Sequence, residues 1–124
     1  LASADRFCPA SGAWEAMPDM GERRGYVAAA AGEDCIYALG GFNGVGRLSS
    51  CERFDPTRKA WQRLPLMMVR RQSSVAASIG GVLYVAGGDD GLGPLDSAER
   101  FDPARSCWEP LPPMARRRSG AAAA

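Results

Sequence analysis

The chain has 124 residues, with 15 basic and 14 acidic side chains, a net charge of +1 and no histidine. This balance gives no field that would draw the protein to nucleic acid or a membrane surface, and no apolar run approaches the ~20 residues of a membrane span. The acidic residues interleave with the arginines without any ladder of aromatic residues, which also argues against nucleic-acid binding. Frequent glycine and proline, 15 and 9 residues, favour short strands and tight turns over a helical bundle.

The chain consists of four consecutive segments, and each is all or part of the same 47-residue unit. Residues 1–20 predict the last two strands of a unit, whereas 21–67 and 68–114 predict two complete units. The complete units match at 21 of 47 positions without a gap, and a period of this length indicates a solenoid or a propeller. Residues 115–124 predict the first strand of a further unit. We therefore expect the chain to be an excerpt of a longer ring, or to need other copies to close it.

The second unit shows the pattern of elements most clearly. It predicts strands at residues 73–78, 82–86 and 95–101, and a fourth strand centred on Trp108. Glycine pairs separate the early strands, and Asp102-Pro103 predicts a turn before the last one. Four short strands per unit are typical of one blade of a β-propeller. The predicted fold class is therefore all-β, as a propeller segment with two complete blades and partial flanking blades.

The positions that recur most strictly are predicted to be structural. They are Trp14, Trp61 and Trp108; Tyr37 and Tyr84; and the double glycines Gly40-Gly41 and Gly87-Gly88. A tryptophan can bury ~150–250 Å², and we expect Trp61 and Trp108 to do so between adjacent blades. The double glycine ends the second strand, where the chain can need a positive φ or a close approach to its neighbour.

These motifs together resemble a known repeat. Tyr-x-x-Gly-Gly, then Glu-Arg-Phe-Asp-Pro, then Trp and Leu-Pro-x-Met resemble the Kelch repeat. The Arg-Arg pair before the first strand and Leu-x-Ser-x-Glu-Arg-Phe-Asp-Pro are similar, more narrowly, to the Kelch-like family of BTB-domain proteins. This resemblance implies a closed propeller that selects substrate proteins for a cullin-based ubiquitin ligase, through BTB and BACK domains absent from this chain. We also expect a cytoplasmic location, because unpaired cysteines suit a reducing compartment.

Arginine groups recur once per unit just ahead of the first strand. They are Arg23-Arg24, Arg70-Arg71 and Arg116-Arg117-Arg118. The second arginine of each pair and its equivalent, namely Arg24, Arg71 and Arg118, are the predicted binding residues, because a ring of guanidinium groups suits an acidic peptide. The first arginine of each pair is the weaker candidate. Hydrogen bonding and ion pairing between blades is the alternative role for the whole set.

The resemblance also implies that the loop after the double glycine contributes to the substrate surface. It supplies Phe42, Asn43 and Arg47 in the first complete unit, and Asp89 and Asp90 in the second. We expect Phe42 to be an exposed aromatic anchor at the loop tip. For Asp89 and Asp90 a solvated turn is the alternative, and Glu52-Arg53 and Glu99-Arg100 of the third strand are expected to be structural.

No catalytic residue, metal site or cofactor is predicted. Without histidine the chain offers no nucleophilic triad, and it does not show the ligands of the Kelch-containing copper oxidases. The scattered cysteines, Cys8, Cys35, Cys51 and Cys107, do not have the spacing of a zinc site. We interpret them as small core or turn residues in a reducing compartment, and disulfide bonds are the alternative.

The sequence leaves three functions open. The first is a protein-interaction module that binds a protein or peptide substrate, such as an acidic peptide, for a cullin-based ligase. The second is a cytoskeletal Kelch protein that binds actin. The third is a propeller that binds or converts a small molecule, such as a sugar mutarotase.

Overall fold

The computed structural model of the protein describes residues 1–32 and 34–123. This part of the chain contains ten strands and no helix, and so no helix that could span a membrane. The strands are β1 (Ala4–Cys8), β2 (Ala13–Met17), β3 (Ala28–Gly32), β4 (Cys35–Leu39), β5 (Cys51–Asp55), β6 (Ala60–Leu64), β7 (Val75–Ile79), β8 (Val82–Ala86), β9 (Ala98–Asp102) and β10 (Cys107–Leu111).

The strands form three antiparallel meanders that follow chain order. Strands β1 and β2 pair as a half-blade, β3 to β6 form blade 1, and β7 to β10 form blade 2. Equivalent residues pair identically in the two full blades, for example Tyr37 with Arg53 and Tyr84 with Arg100. The innermost strands β3 and β7 contact each other. The predicted all-β propeller segment is therefore confirmed.

Strand boundaries differ from the prediction in the first and third strands of blade 2. Strand β7 begins at Val75 rather than at residue 73, because Ser73 adopts a left-handed backbone with φ of 51°. Strand β9 begins at Ala98 rather than at residue 95, because the Leu95 N–H bonds to the Gly88 carbonyl within a loop.

The C-terminal prediction differs more. Residues 115–123 do not form the predicted strand, and Ala124 lies outside the described residues. Arg118 forms an isolated bridge to Leu95 and accepts the Gly88 N–H, and Gly120 donates its N–H to the Ser73 carbonyl. A strand needs a continuous ladder along a neighbour, which residues 121–123 do not have.

The core lies between the two full blades. Side chains alternate across each sheet, so one face of blade 1 meets the opposite face of blade 2. The buried residues of this interface include Tyr37, Leu39 and Cys51 from blade 1 and Leu83, Val85, Phe101 and Trp108 from blade 2. Cys51 is thus a small core residue, and all four cysteines are free thiols.

Tryptophans tie each full blade to the unit before it. The Trp61 Nε1–H donates to the Pro18 carbonyl at 2.8 Å, and the Trp108 Nε1–H donates to the Pro65 carbonyl at 2.9 Å. The Trp108 indole is buried and packs on Phe101 with ring centroids 5.3 Å apart. The predicted burial between blades is thus seen for Trp108, whereas Trp61 is only half-buried and Trp14, their equivalent in the half-blade, is 72% exposed.

The double glycines are required by the backbone. Gly40 and Gly87 have φ of 63° and 65°, a left-handed region that disfavours side chains. A Cβ at Gly40 would also collide with the Arg71 carbonyl oxygen of the next unit, and one at Gly87 would collide with that of Arg118. Both predicted reasons for these glycines, the positive φ and the close approach, are confirmed.

Candidate functional site

One end of the blades carries the long loops. Because neighbouring strands are antiparallel, the segment that enters a blade and the loop after its double glycine lie at the same end. We call this end the loop face; it comprises residues 18–27, 40–50, 65–74, 87–97 and 112–120. The opposite end carries the short hairpin turns, such as the one at Asp55, whose carboxylate accepts the N–H groups of Thr57 and Arg58.

The loop of blade 1 presents an apolar side chain at its tip. Val45 is 94% exposed. Its N–H and that of Gly46 both donate to the Asn43 side-chain oxygen at 2.9 Å, an Asx-type arrangement that fixes the turn. Asn43 therefore shapes the loop, and the exposed side chain at its tip is that of Val45, which the sequence pattern did not single out.

The loop of blade 2 repeats this design. Leu92, at the position equivalent to Val45, is 97% exposed. Asp89 and Asp90 each accept a backbone N–H two residues on, from Gly91 and Leu92, at 2.8 Å. The two aspartates thus brace the turn, as the alternative interpretation of the sequence held.

Arg47 connects the two loops. Its guanidinium lies 3.4 Å from the Asp89 carboxylate of the next blade and 5.7 Å from the Phe42 ring centroid. Phe42 is half-buried, and its backbone pairs with Gly25 and Arg47. The expectation of an exposed aromatic at the loop tip is therefore wrong, because the ring packs beneath the arginine and the tip lies three residues further on.

Arg24 and Arg71 are buried beneath the loop face. Arg71 is fully buried and donates through Nε and Nη2 to the Glu99 carboxylate at 3.1 and 3.0 Å. Its Nη1 donates to the carbonyls of Gly87 and Ser97. Arg24 makes the equivalent bonds in blade 1, to the Glu52 carboxylate and to the carbonyls of Gly40 and Ser50.

These bonds use every side-chain nitrogen of the two arginines. The prediction that Arg24 and Arg71 contact an acidic peptide is therefore wrong for this structure, since both guanidinium groups face carboxylates and carbonyls inside their own blade. Glu52 and Glu99 are structural, as expected. Arg118 is exposed, and its proposed contact with a partner stays a prediction.

The first arginine of each pair is the exposed one. Arg23 and Arg70 lie on the surface of the loop face, as does their equivalent Arg117. The sequence contains one signal for this reversal, because each second arginine is followed 28 residues later by the glutamate with which it pairs. A recurring acid at a fixed offset from a recurring arginine indicates an internal ion pair.

Glu22 is a carboxylate particular to blade 1, since the equivalent position in blade 2 is Val69. It accepts the Ser50 hydroxyl at 2.5 Å and the Asn43 amide at 3.2 Å. The Ser50 hydrogen bond is the main cause that lowers the pKa of Glu22, with Asn43 and the charges of Arg24 and Arg63 contributing in the same direction. Glu22 therefore stays ionised at neutral pH.

Two adjoining cavities, of about 390 and 290 Å³, open beside Glu22. They share Glu22, Ser50 and Leu66, and we call their combined volume the Leu66 groove. Arg63 and Leu64 line the first cavity, and Val45 and Arg70 line the second.

Comparison with known proteins identifies the repeat. The Kelch motif matches residues 23–68 and 70–115. A search of the curated proteins finds no match to the chain. The matched segments follow the two full blades of the structure, and Kelch repeats generally form protein-binding modules. This chain therefore belongs to the Kelch repeat family.

Proposed function

We propose that the loop face is a protein-binding surface. The observation that carries this proposal is the pair of equivalent loop tips, Val45 and Leu92, which are 94% and 97% exposed and braced by side-chain hydrogen bonds. Rigid loops on a packed scaffold are a common arrangement for binding. A preorganised apolar tip also loses little conformational freedom when a partner covers it.

We further propose that, in the complete protein, this surface selects substrates for a cullin-based ubiquitin ligase in the cytoplasm. The support is the similarity of Leu-x-Ser-x-Glu-Arg-Phe-Asp-Pro at 95–103 to BTB-Kelch adaptors. Co-precipitation of a cullin with the complete protein tests this role. Recovery of the partner proteins without a cullin would contradict the ligase role and leave the binding surface intact.

Photo-cross-linking in cells tests the binding surface itself. A photoreactive amino acid replaces Val45 or Leu92 on the loop face, and in matched controls it replaces the exposed Thr57 or Ala104 at equivalent positions on the opposite face. We expect specific protein adducts from the two loop-face positions and not from the controls. Equal adducts from both faces, or none from either, would reject the loop face as the binding surface.

A further inference from the structure

We propose that the Leu66 groove binds a peptide segment in which one apolar side chain lies between two carboxylates. This inference rests on the proposed function, because the groove opens on the same loop face, and it names the chemistry of the partner. The acidic-peptide site that the sequence predicted at Arg24 and Arg71 is buried. The groove instead offers arginines that a partner can reach.

The middle of the groove offers apolar contact. Leu66 is 65% exposed and belongs to both cavities, and the 94% exposed Val45 borders one of them. Leu64 adds a half-buried apolar wall on the other side. An aliphatic side chain from a partner would remove much of this surface from water, which is the usual anchor of a peptide contact.

Each of the two cavities has an exposed arginine in its lining, Arg63 in the first and Arg70 in the second. Arg24 is paired with Glu52, and Arg47 with Asp89. Arg63 and Arg70 remain, both exposed, and within the described residues neither lies at ion-pair distance from a carboxylate. Each guanidinium therefore has its planar fork of donors available for a carboxylate of the partner.

Glu22, which lines both cavities, does not repel such a partner strongly. Its carboxylate already accepts hydrogen bonds from Ser50 and Asn43 and lies 3.6 Å from Arg24. The charges that face solvent in the groove are therefore two arginines against one satisfied carboxylate. This surplus favours an acidic segment over a basic or neutral one.

Blade 2 repeats the groove only in part: a cavity of about 180 Å³, lined by Leu92 and Arg117, lies at the position of the second one. The equivalents of Arg63 and Leu66 are Pro110 and Pro113, and the equivalent of Arg70 is Arg117, which lies 4.0 Å from Asp96. The combination of two free arginines and an exposed leucine is thus particular to blade 1. Arg117 provides a matched control for Arg70, since both are exposed arginines at the same position of the repeat.

A peptide array tests the inference with the complete protein as the probe. Each member carries one leucine between two glutamates at increasing spacing in a Gly-Ser background, and matched arrays carry glutamine for glutamate or serine for leucine. We expect binding to the Glu–Leu–Glu members to exceed binding to the matched members. Arg70→Ala and Leu66→Ser should each weaken that binding about fivefold or more, whereas Arg117→Ala should leave it within about twofold.

Several outcomes would overturn the inference. They are an absence of binding to any member, equal binding to the glutamine array, and binding that Arg70→Ala and Leu66→Ser leave unchanged. Thermal unfolding of each variant accompanies the array, and both substitutions fall on exposed side chains, so loss of folding would be detected separately. Cross-linking at Val45 and Leu92 would still support the proposed function if the array alone failed.

Discussion

At the scale of single residues, Arg71 and Glu99 determine how the entering segment of blade 2 is held. Arg71 donates to the carbonyls of Gly87 and Ser97 in addition to the Glu99 carboxylate. The same carboxylate accepts the N–H groups of Met68 and Val69. A buried ion pair with these extra hydrogen bonds is sensitive to the loss of either partner.

We predict that Arg71→Met lowers the free energy of unfolding by ~3–5 kcal/mol, because it leaves the Glu99 carboxylate buried and unpaired. The double variant Arg71→Met with Glu99→Leu should recover only part of this loss, since Met68 and Val69 would then lack an acceptor. Urea unfolding of the complete protein measures both. The neighbouring Arg70→Ala is the control and should leave the midpoint unchanged; an equal loss for both arginines would contradict the buried role of Arg71.

Cysteine reactivity gives a second prediction at this scale. Burial raises the pKa of Cys51 to about 12, whereas hydrogen bonding by the Ser11 hydroxyl lowers the pKa of Cys8. The thiolate is the reactive form, so a lower pKa means faster alkylation at a given pH. With iodoacetamide near neutral pH, Cys8 should therefore be labelled early and Cys51 last, and Ser11→Ala should slow Cys8.

Peptide mass spectrometry over a time course follows each cysteine, and raising the pH should accelerate Cys8 well before Cys51. Labelling of Cys51 as fast as Cys8 would show that the interface between the blades opens readily, in conflict with its packed core.

Residue roles were only partly predictable from the sequence. The Arg-Arg pair is visible as a repeat, but which arginine faces inward depends on Glu52 and Glu99, which lie 28 residues further along the chain. The tips Val45 and Leu92 were not identified because isolated apolar residues next to glycine have no distinctive pattern. Their exposure follows from the turn that Asn43 and Asp90 impose.

At the scale of elements, the double glycine fixes where the second strand ends and the loop begins. We predict that Gly40→Ala lowers the free energy of unfolding by ~2–4 kcal/mol, because the new Cβ meets the Arg71 carbonyl and its φ of 63° is unfavourable. Gly46→Ala in the same loop is the control, since it has open space around it and no positive φ. Urea midpoints compare the two, and an equal effect would contradict the proposed tight approach of the two units.

The positions of the strands were easier to predict from the sequence than the roles of single residues. Strand β8 (Val82–Ala86) has the predicted bounds, because the glycine pairs on both sides leave no other ends for an apolar β-rich run. The first residues of strands that follow loops were less predictable. The left-handed backbone of Ser73, for example, moves the start of strand β7 further along the chain. The prediction also failed at residues 115–123, because a segment with a strand-like sequence forms a strand only when it pairs with a neighbouring strand.

At the scale of the whole molecule, repetition determines the architecture. Each blade packs its face on the next one, and Trp61 and Trp108 bond to the carbonyls of Pro18 and Pro65 in the unit before. The stability of such arrays depends on interfaces between neighbours. The 47-residue period therefore predicted the fold, whereas the binding surface depends on loops that differ between units.

One pair of variants tests whether contacts between blades can be weakened without a loss of binding at the loop face. Trp61→Phe and Trp108→Phe each remove one hydrogen bond between units and should lower the unfolding temperature, because the Pro18 or Pro65 carbonyl is left without its donor. Neither substituted residue lies in the loop face, so cross-linking at Val45 should persist in the folded variants. Loss of cross-linking without any loss of stability would contradict this division.

The most direct test of the account is the affinity of the complete protein for a partner captured by cross-linking at Val45. Titration calorimetry would compare the wild type with the double variant Val45→Ser/Leu92→Ser and with the opposite-face control Thr57→Ser/Ala104→Ser, with the unfolding temperature of each recorded. The account predicts that the loop-tip variant binds about tenfold or more weakly at an unchanged unfolding temperature, and that the control binds like the wild type. Unchanged affinity in the loop-tip variant would contradict the loop face as the binding surface.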